Sequence, residues 1–582
     1  MTQPSLPDAV DLVVIGGGAG GMTAALAGAL HGLRVLLCEA TQQVGGTTAT
    51  SAGTIWVPGN TPSREAGYAD SFDAAMRYLD GLVPSGERRG LREAYLRSAP
   101  AVIDELMRRS QVRFTAAGPH PDYVDIPGSS TAGRAMAAVP YDGRLLGRDF
   151  DRIRPPMKEF MVLGGMMVGK LDIGHLVGRF RSWTSFRHAA GLVLRHASDR
   201  LRYPRGTRLV MGNALVARLF ASLQDAGVQV AFGAPLQELV LQDGRVRGVR
   251  LRLADGTVAE VAARRGVVLA AGGMGRHPQL RKEFMRPGQD GWPSLAAEAN
   301  QGAGVAAARA AGAAIASMPD SAGVLYQPVS ITRDRRGPTG VFPHIFLDRA
   351  KPGFIAVDAS GRRFTNEGSS YHYFSDAMAR RHATTPAVPA WAVCDAAFIR
   401  KYGLGVIHPG TTDLRPHAGT GYLVCADTLE ELARKTGIDA QGLADTVARN
   451  NTFARTGIDT DFGKGSTQVS RFNGDPAHQP NPCLGPIATP PFCAMQLWPA
   501  DAAADAGLAT DEHARVLDAR GAAIGGLYAC GGDMASIMCG SYPAPGATIG
   551  PAMVFGWRAA AHAAGRPVDS PAASEEPAAV PA

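Results

Sequence analysis

The chain has 582 residues, of which 45% are hydrophobic and 19% are charged, a balance typical of folded globular proteins and unlike that of disordered chains. Its 59 Lys and Arg residues against 52 Asp and Glu residues give a net charge of +7, which on this length does not by itself indicate nucleic-acid binding. No apolar run reaches about 18 residues, so we expect no membrane span. A chain of this size is expected to form two or more packed units.

The cysteines and the N-terminus indicate the compartment. Seven scattered cysteines, odd in number and without a CxxC pair, argue against a disulfide framework or a zinc site, and no metal site is predicted. The first residues lack a basic region followed by an apolar stretch, so no secretory signal is predicted. We therefore expect a cytoplasmic protein.

The first predicted elements form one continuous unit. Residues 11–15 are a short apolar run, typical of a buried parallel strand, and glycines follow it. A small-residue helix over 22–30 and a second strand over 34–39, ending on an acid, complete the pattern of a dinucleotide-binding fold. The glycines would let the backbone approach a pyrophosphate at the helix N-terminus, and Glu39 would bind the ribose of an adenosine. The residues predicted for this part of the site are Gly16, Gly18, Ala19, Gly20, Gly21 and Glu39.

A basic segment over 175–208 comes next. It carries eight arginines and one acid, interleaved with apolar side chains. A basic amphipathic helix with aromatic residues is suited to a membrane interface. The alternative is a helix that covers a pocket and turns a solvated basic face outward, and both interpretations stay open. No nucleic-acid module accompanies the charge, so no nucleic-acid partner is expected. The apolar residues are Phe180, Trp183, Phe186, Leu192 and Leu194.

The remaining elements suggest how the domains are arranged. Buried strands run into glycines at 266–273 and 526–533, and an alanine-rich helix is predicted over 302–317. Between about 320 and 490 aromatic residues, prolines and polar loops become more frequent. We predict a nucleotide-binding domain over 1–320 with a basic helical insertion at about 150–205, a substrate domain over 321–490, the C-terminal part of the nucleotide-binding domain over 491–566, and a disordered tail over 567–582.

The residues that accompany the glycine turn favour FAD over NAD. A run rich in threonine and glycine at 44–53 lies soon after Glu39, where a flavin needs a lining. Asp533 is expected to place a carboxylate on the ribityl hydroxyls. A helix that starts near Pro551 is expected to point its positive end at the flavin and stabilise the reduced anion. The further residues predicted to bind FAD are Gly45, Gly46, Thr47, Thr48, Ser51, Ala52, Gly53, Ala271, Gly272, Gly532, Asp533, Gly546, Ala547 and Ile549.

Three blocks carry a specific resemblance: GGTTATSAGTIWVPGN at 45–60, GRRFTNEGSSY at 361–371 and GLYACGGDMASIMCGSYPAPGATIGPAM at 526–553. They resemble the fumarate reductase/succinate dehydrogenase flavoprotein superfamily and, within it, the 3-ketosteroid Δ1-dehydrogenases. The resemblance implies an α/β protein in which a Rossmann-like FAD-binding domain carries an inserted α+β substrate domain, with the active site at their junction.

Two departures from the superfamily refine this expectation. Members that handle carboxylates carry an arginine in the C-terminal glycine block, whereas residues 539–546 hold no cation. Because buried arginine is the natural partner of a carboxylate, its absence argues for an uncharged carbonyl substrate. The histidine that attaches flavin covalently is missing from 45–53, so the resemblance implies non-covalent FAD.

The resemblance also assigns roles in a 1,2-desaturation of a 3-ketosteroid. Tyr371 would take the C2 proton, flavin N5 would take the C1 hydride, and the Tyr542 hydroxyl with the Gly546 N–H would hold the 3-oxygen. Tyr123 would assist Tyr371. A phenol with a pKa of about 10 is a poor base at neutral pH unless its phenolate is stabilised, and the sequence does not show what does so. A quinone or another acceptor would reoxidise the flavin, since no second dinucleotide fingerprint is visible.

The sequence leaves several alternatives open. A dehydrogenase of a smaller cyclic ketone would use the same residues, and an enoate or fumarate-type reductase is disfavoured by the missing arginine. A flavin protein without turnover is the remaining class. Tyr373 lies close enough in sequence to compete with Tyr371 as the base, and His408 is interpreted as structural. Peripheral membrane contact through 175–208 is kept as a hypothesis.

Overall fold

A computed structural model describes residues 6–345 and 348–567. Apart from its first residue, the tail predicted over 567–582 lies outside the described residues. None of the helices in the described part of the chain combines the length and the apolar character needed to cross a membrane.

Both helices and strands are distributed along the whole described chain. The helices are α1 (Ala19–Leu30), α2 (Thr61–Glu65), α3 (Phe72–Leu82), α4 (Arg89–Arg109), α5 (Lys170–Val177), α6 (Trp183–Arg200), α7 (Met211–Asp225), α8 (Pro278–Phe284), α9 (Ala303–Ala310), α10 (Tyr371–His382), α11 (Ala396–Tyr402), α12 (Arg415–Gly419), α13 (Leu429–Thr436), α14 (Ala440–Thr456), α15 (Gln468–Asn473) and α16 (Ile549–Ala563). Short 3₁₀ helices span Gly46–Thr50, Gly143–Arg152, Lys158–Phe160 and Gly531–Asp533.

The strands are β1 (Ala9–Ile15), β2 (Val35–Glu39), β3 (Thr54–Trp56), β4 (Phe114–Ala116), β5 (Ala135–Ala138), β6 (Tyr141–Asp142), β7 (Met161–Val162), β8 (Met166–Met167), β9 (Arg208–Leu209), β10 (Gln229–Phe232), β11 (Leu236–Gln242), β12 (Arg245–Arg252), β13 (Val258–Leu269), β14 (Ile315–Ala316), β15 (Val324–Asp334), β16 (Gly337–Pro343), β17 (Ile355–Val357), β18 (Ala390–Asp395), β19 (Val424–Ala426), β20 (Phe492–Ala504), β21 (Gly507–Leu508), β22 (Arg515–Leu517) and β23 (Ala523–Ala529).

The first large sheet confirms the predicted α/β class. Its order is β10-β2-β1-β13-β12-β11, and β23 joins β13 while β22 joins β23. The pairs among β10, β2, β1, β13 and β23 are parallel. These strands are apolar on both faces because helices cover them, and the carboxyl ends of β1, β2 and β13 therefore meet at one edge.

Helices α1 and α16 pack against each other beside this sheet, with their backbones in close contact. A Cβ added at Gly20 would stand 3.0 Å from the carbonyl oxygen of Ala552, and one at Gly556 would overlap the carbonyl of Gly20. Glycine at the crossing lets the two backbones touch. The contact places the N-termini of both helices near the same sheet edge.

The second large sheet is antiparallel, in the order β16-β15-β20-β18-β17 with β19 paired to β20. Helices α10 and α13 pack against it, and α14 packs against α13. Strand β20 starts at Phe492 and belongs to this sheet, although the sequence placed residues from 491 in the C-terminal part of the first domain. The composition change near 490 marks a proline-rich loop before the strand and not the end of the sheet.

Two element boundaries differ from the prediction. The helix predicted over 302–317 is α9, Ala303–Ala310, and it ends because Gly312 adopts a φ of +90°, a conformation that closes helices. The helix predicted to start near Pro551 begins two residues earlier, at Ile549.

Candidate active site

A large cavity of about 2460 Å³ runs between the two sheets. The sheet edge that holds the glycine turn lines one part of it, and residues of β15, β16 and β20 line another. Pockets for one small ligand are usually about 300–1,000 Å³. The cavity therefore has room for a dinucleotide together with a second molecule.

The glycine turn after β1 forms one wall of the cavity. Gly16, Gly18 and Gly20 line it, and α1 begins at Ala19 with no acidic side chain in its first turn. A Cβ at Gly16 would overlap the carbonyl of Ala270, and one at Gly21 would overlap the carbonyl of Gly16. The turn thus presents backbone N–H groups at a helix N-terminus, the arrangement that accommodates a pyrophosphate.

Glu39 is buried at the end of β2 and lines the cavity. Its carboxylate accepts hydrogen bonds from the N–H of Gly17 at 2.9 Å and of Thr41 at 2.8 Å, and from the Thr41 hydroxyl at 2.9 Å. The carboxylate therefore shapes the glycine turn as well as facing the cavity.

The threonine-rich run after Glu39 is tied to the turn and to the opposite wall. The Thr48 hydroxyl accepts from the N–H of Ala19 at 3.2 Å, and the Thr47 hydroxyl accepts from the N–H of Ala297 at 3.0 Å. The residues predicted to bind FAD that line the cavity are Gly16, Gly18, Ala19, Gly20, Glu39, Gly46, Thr47, Thr48, Ser51, Ala52, Gly53, Ala271, Gly272, Gly532, Gly546, Ala547 and Ile549.

Three residues predicted to bind FAD, Gly21, Gly45 and Asp533, lie behind the lining. Gly21 allows α1 to pack on β1, and Gly45 has a φ of +118° and donates its N–H to the carbonyl of Gly17 at 2.7 Å. The Asp533 carboxylate accepts from the N–H of Ala271 at 2.5 Å and of Gly273 at 2.9 Å. Burial raises the pKa of Asp533 to about 6. Asp533 thus holds the lining turn at 271–273, which differs from the ribityl contact expected from the sequence.

Gly546 and the start of α16 complete the opposite side of this wall. Ile549, Pro551 and Ala552 line the cavity at the positive end of the helix, where an anion is stabilised. Gly546 has a φ of +88°, and a Cβ there would lie 2.5 Å from Thr54 O and Ile55 Cα. This backbone position accepts only glycine.

Tyr371, Tyr542 and Tyr123 form one aromatic cluster, although they are far apart in sequence. The ring centroids of Tyr371 lie 5.1 Å from Tyr542 and 5.5 Å from Tyr123, and Tyr123 stacks on Tyr542 at 6.0 Å. Tyr371 and Tyr542 line the cavity, whereas Tyr123 is buried behind them. Burial raises the pKa of Tyr371 well above its ordinary value. Burial also raises the pKa of Tyr542, and a hydrogen bond with Tyr371 lowers that pKa in part.

Tyr123 is held by a buried ionic network. Its neighbour Asp122 accepts from Trp56 Nε1 at 2.9 Å and pairs with Arg134 at 2.7 Å. Burial raises the pKa of Asp122 to about 6, while Arg134 acts in the opposite direction. The N–H of Tyr123 donates to the carbonyl of Pro543 at 2.7 Å, which connects this loop to the loop of Tyr542.

Two neighbours of Tyr371 on α10 do not face the cavity. His372 accepts from the N–H of Tyr326 on Nδ1 at 3.1 Å, so its Nε2 donates to the carbonyl of Gly540 at 3.0 Å. Burial lowers the pKa of His372. The Tyr373 hydroxyl accepts from the N–H of Tyr542 at 3.4 Å. Both residues position the C-terminal loop.

Sequence reasoning missed several lining residues. Gly17, Arg154, Asn300 and Ile345 line the cavity, and the Nε of Arg154 is buried without a hydrogen-bond partner among the described residues. Gly17 lies between Gly16 and Gly18 in the predicted glycine turn, and this position could have identified it. The others lie in loops without a pattern and reach the site through folding.

The lining fits FAD. It combines a glycine turn at a helix N-terminus, a carboxylate at the end of the second strand, a second helix N-terminus and a volume larger than one small ligand requires. Among the described residues no group of His, Cys, Asp or Glu is arranged to hold a metal ion. All seven cysteines are free.

Comparisons with known proteins agree with this geometry. The family described as FAD binding domain matches residues 11–549. The chain is 38% identical over 557 residues to 4-oxocyclohex-2-ene-1-carboxylate 5-dehydrogenase of Sinomonas cyclohexanicum, covering 95% of this chain and 93% of the relative. It is 34% identical over 570 residues to 3-oxosteroid 1-dehydrogenase of Mycolicibacterium smegmatis, covering 94% and 96%.

A solved structure is similar over the same length. The 3-ketosteroid Δ1-dehydrogenase of Sterolibacterium denitrificans, in complex with 1,4-androstadiene-3,17-dione, superposes with a TM-score of 0.88 at 34% identity. The match covers 96% of this chain and all of that chain. The expected fold class is thereby confirmed.

Proposed function

The chain belongs to the FAD binding domain family of flavoproteins, and we propose that it catalyses the 1,2-desaturation of a 3-ketosteroid. The cluster of Tyr371 and Tyr542 beside Gly546 carries the proposal, because it lines the same cavity as the glycine turn. A hydroxyl donor, a backbone N–H and a candidate base at one wall are what dehydrogenation beside a ketone needs.

Each of these residues would have a separate role in the reaction. The Tyr542 hydroxyl and the Gly546 N–H would donate to the ketone oxygen and stabilise the charge that develops there. Tyr371, as the phenolate, would take the proton from C2 and become a neutral phenol, with Tyr123 beside it to assist. FAD, when bound, supplies the acceptor for the hydride that leaves C1. The substrate loses one proton and one hydride, and the product gains the C1–C2 double bond.

The test is anaerobic mixing of the purified holoenzyme with androst-4-ene-3,17-dione. We expect the absorption of oxidised flavin to bleach and a 1,4-diene to form. Tyr371→Phe should lower the bleaching rate about 10²–10⁴-fold, the usual contribution of a general base, while flavin content is unchanged. Tyr141→Phe is the matched control and should retain most of the rate, because the Tyr141 hydroxyl donates to Gln111 away from the cavity lining. Equal losses of rate in Tyr371→Phe and in the control variant would mean that Tyr371 is not the base. No bleaching of the wild type would refute the proposal that the substrate is a steroid.

A smaller ketone that carries a carboxylate is the second candidate. The 38% identical relative is named for such a substrate, and the cavity lining includes Lys351 and Lys401. Bleaching by 4-oxocyclohexanecarboxylate but not by the steroid would select it. Lys351→Met should then raise KM for the carboxylate and leave the rate with uncharged cyclohexanone unchanged.

The state of the flavin and its oxidant belong to the same proposal. Residues 45–53 contain no histidine, so FAD is expected to be bound non-covalently. Acid precipitation of the protein should therefore release FAD into the supernatant. A quinone or another acceptor is proposed to collect the electrons, and a soluble quinone should restore flavin absorption faster than NAD⁺ does.

Peripheral membrane contact is proposed for the segment 175–208. Phe180, Trp183 and Leu194 are 82%, 74% and 71% exposed, and Leu192 is buried. Phe180 and Phe186 also line the cavity. Helix α6 thus covers the cavity with one face and exposes apolar residues beside arginines on another, an arrangement suited to an anionic lipid surface. An apolar substrate would enter beside these residues.

Sedimentation with phosphatidylglycerol vesicles tests this contact. The wild type should sediment with the vesicles, and Trp183→Ser with Leu194→Ser should reduce the bound fraction several-fold. Leu241→Ser, an exposed residue on β11, is the matched control. Equal binding by all three proteins, or none by the wild type, would refute the contact.

A further inference from the structure

Arg349 is a buried cation beside the tyrosine cluster, and the proposed desaturation does not involve it directly. It lies after β16, 4% exposed. Its Nε donates to the carbonyl of His344 at 2.8 Å, and its Nη2 to that of Ile345 at 3.4 Å. Its Nη1 donates to the carbonyls of Glu367 at 2.7 Å and Ser369 at 3.1 Å. Over the described ranges 6–345 and 348–567, no carboxylate oxygen forms a salt bridge with this guanidinium.

These carbonyls belong to two separate segments. His344 and Ile345 follow β16 and line the cavity. Residues 367–369 directly precede Tyr371, the first residue of α10. The guanidinium also lies over the ring of Phe374, 4.8 Å from its centroid, nearly one turn into the same helix. Arg349 therefore fastens a wall of the cavity to the start of the helix that presents Tyr371.

The carboxylates near Arg349 are already committed to other partners. Asp348 pairs with His344, and Glu367 pairs with Arg363 at 2.7 Å. Backbone carbonyls therefore accept the hydrogen bonds of the guanidinium, while the charges of Asp348 and Glu367 act on it without a direct salt bridge. Burial lowers the pKa of Arg349 to about 10, so the guanidinium stays charged at neutral pH.

The groups that face Tyr371 define its electrostatic environment. Tyr123 reaches it from the loop after β4, and Tyr542 from the loop before α16. His372, on α10 itself, is neutral because burial lowers its pKa. Arg349 is a buried cation in these surroundings, and its charge lowers the pKa of Tyr123 against the larger effect of burial, while the carboxylate of Asp122 acts in the same direction as burial.

We propose that Arg349 is a positioning residue for the base: its guanidinium fixes the start of α10, and its charge stabilises the phenolate that the tyrosine cluster must form. The inference rests on the proposed function, because it assigns the base to Tyr371. It supplies the stabilising positive charge that a tyrosine base requires near neutral pH.

The experiment follows the pH dependence of anaerobic flavin reduction by androst-4-ene-3,17-dione in holoenzyme variants. Arg349→Gln should move the apparent pKa of the rate upward by about one unit or more, which is about tenfold in rate below that pKa. Arg349→Lys keeps the positive charge but loses the planar set of N–H donors that the guanidinium offers to the carbonyls. Its pH–rate profile should therefore stay near that of the wild type while its maximal rate falls. Arg380→Gln, at the exposed end of α10, is the matched control and should change neither.

A second measurement is independent of turnover. The ultraviolet absorbance of tyrosinate is titrated in Arg349→Gln and in the wild type, each with and without Tyr371→Phe. The phenolate that Tyr371→Phe removes should appear at higher pH in the Arg349→Gln background. An unchanged titration together with an unchanged rate profile would overturn the proposal and leave Arg349 a structural clamp. A shifted titration in a protein that no ketone bleaches would refute the proposed function alone. If Arg349→Gln does not fold, a wild-type profile in Arg349→Lys supports the proposal, and a shifted profile in that variant overturns it.

Discussion

At the residue scale, Gly546 combines a required conformation with a required absence of a side chain. Its φ of +88° disfavours L residues, and a Cβ would lie 2.5 Å from Thr54 O and Ile55 Cα, which are backbone atoms. Gly521 has a similar φ of +79° but no atom within 4 Å of its ideal Cβ. Comparing Gly546 with Gly521 therefore separates the loss of stability caused by the backbone conformation from the loss caused by steric overlap.

We therefore expect Gly546→Ala to lower the melting temperature more than Gly521→Ala does. Gly521→Ala, the control, should lose about 1–2 kcal/mol of stability because of its backbone conformation. Gly546→Ala should lose about 1–3 kcal/mol more because its Cβ overlaps backbone atoms. Because the overlap displaces the Gly546 N–H, the rate of flavin reduction should also fall. Thermal melting and anaerobic mixing measure the two effects, and equal melting temperatures would contradict the contact argument.

At the element scale, Asp533 joins the ends of two parallel strands. It follows β23, and its carboxylate binds N–H groups of the turn after β13. Burial raises its pKa to about 6, above the ordinary value near 4. The native state therefore binds more protons than the unfolded state between about pH 4 and pH 6, and this carboxyl makes stability fall as pH rises through that window.

The difference between wild type and Asp533→Asn isolates this effect. The wild type should lose up to about 1.4 kcal/mol per pH unit relative to the variant between about pH 4 and pH 6. Asp255, an exposed carboxyl whose pKa is lowered by hydrogen bonds from Thr257, is the matched control: its contribution has the opposite sign and is lost only below about pH 4, so the difference between wild type and Asp255→Asn should stay nearly constant from about pH 4 to pH 6. Melting temperatures across this range provide the measurement, and a constant difference for Asp533→Asn would refute the raised pKa.

At the scale of the whole molecule, the cavity separates two sheets that the cofactor would bridge. Residues of both sheets line it, so a ligand in the cavity binds the native arrangement and not the unfolded chain. Removing FAD should therefore lower the melting temperature. Binding at about 100 times Kd stabilises a protein by about 2.7 kcal/mol.

Thermal melting of apoprotein against FAD concentration tests this linkage. The melting temperature should rise with the logarithm of FAD concentration, because stabilisation follows mass action. NAD⁺ serves as the control and should have little effect. A melting temperature independent of FAD would mean that the cofactor does not couple the two sheets.

The sequence by itself determined the elements whose causes lie close together along the chain. The unit from β1 to Glu39 was predicted because its strand, glycines, helix and acid are contiguous, and local backbone chemistry decides such a unit. The family blocks likewise pointed to Tyr371, Tyr542 and Gly546. Where one residue changes the local geometry, as Gly312 does at the end of α9, the predicted boundary moved.

Only the tertiary structure decided which distant residues meet. Tyr123 joins the cluster through Asp122 and Pro543, Asp533 turns toward Ala271, and Arg349 reaches the segment before α10. Each of these contacts joins residues far apart in the chain, and its partner is selected by the packing of whole elements and not by local spacing. Burial then sets the charge states, because a buried group loses the stabilisation by water that its sequence neighbours cannot replace.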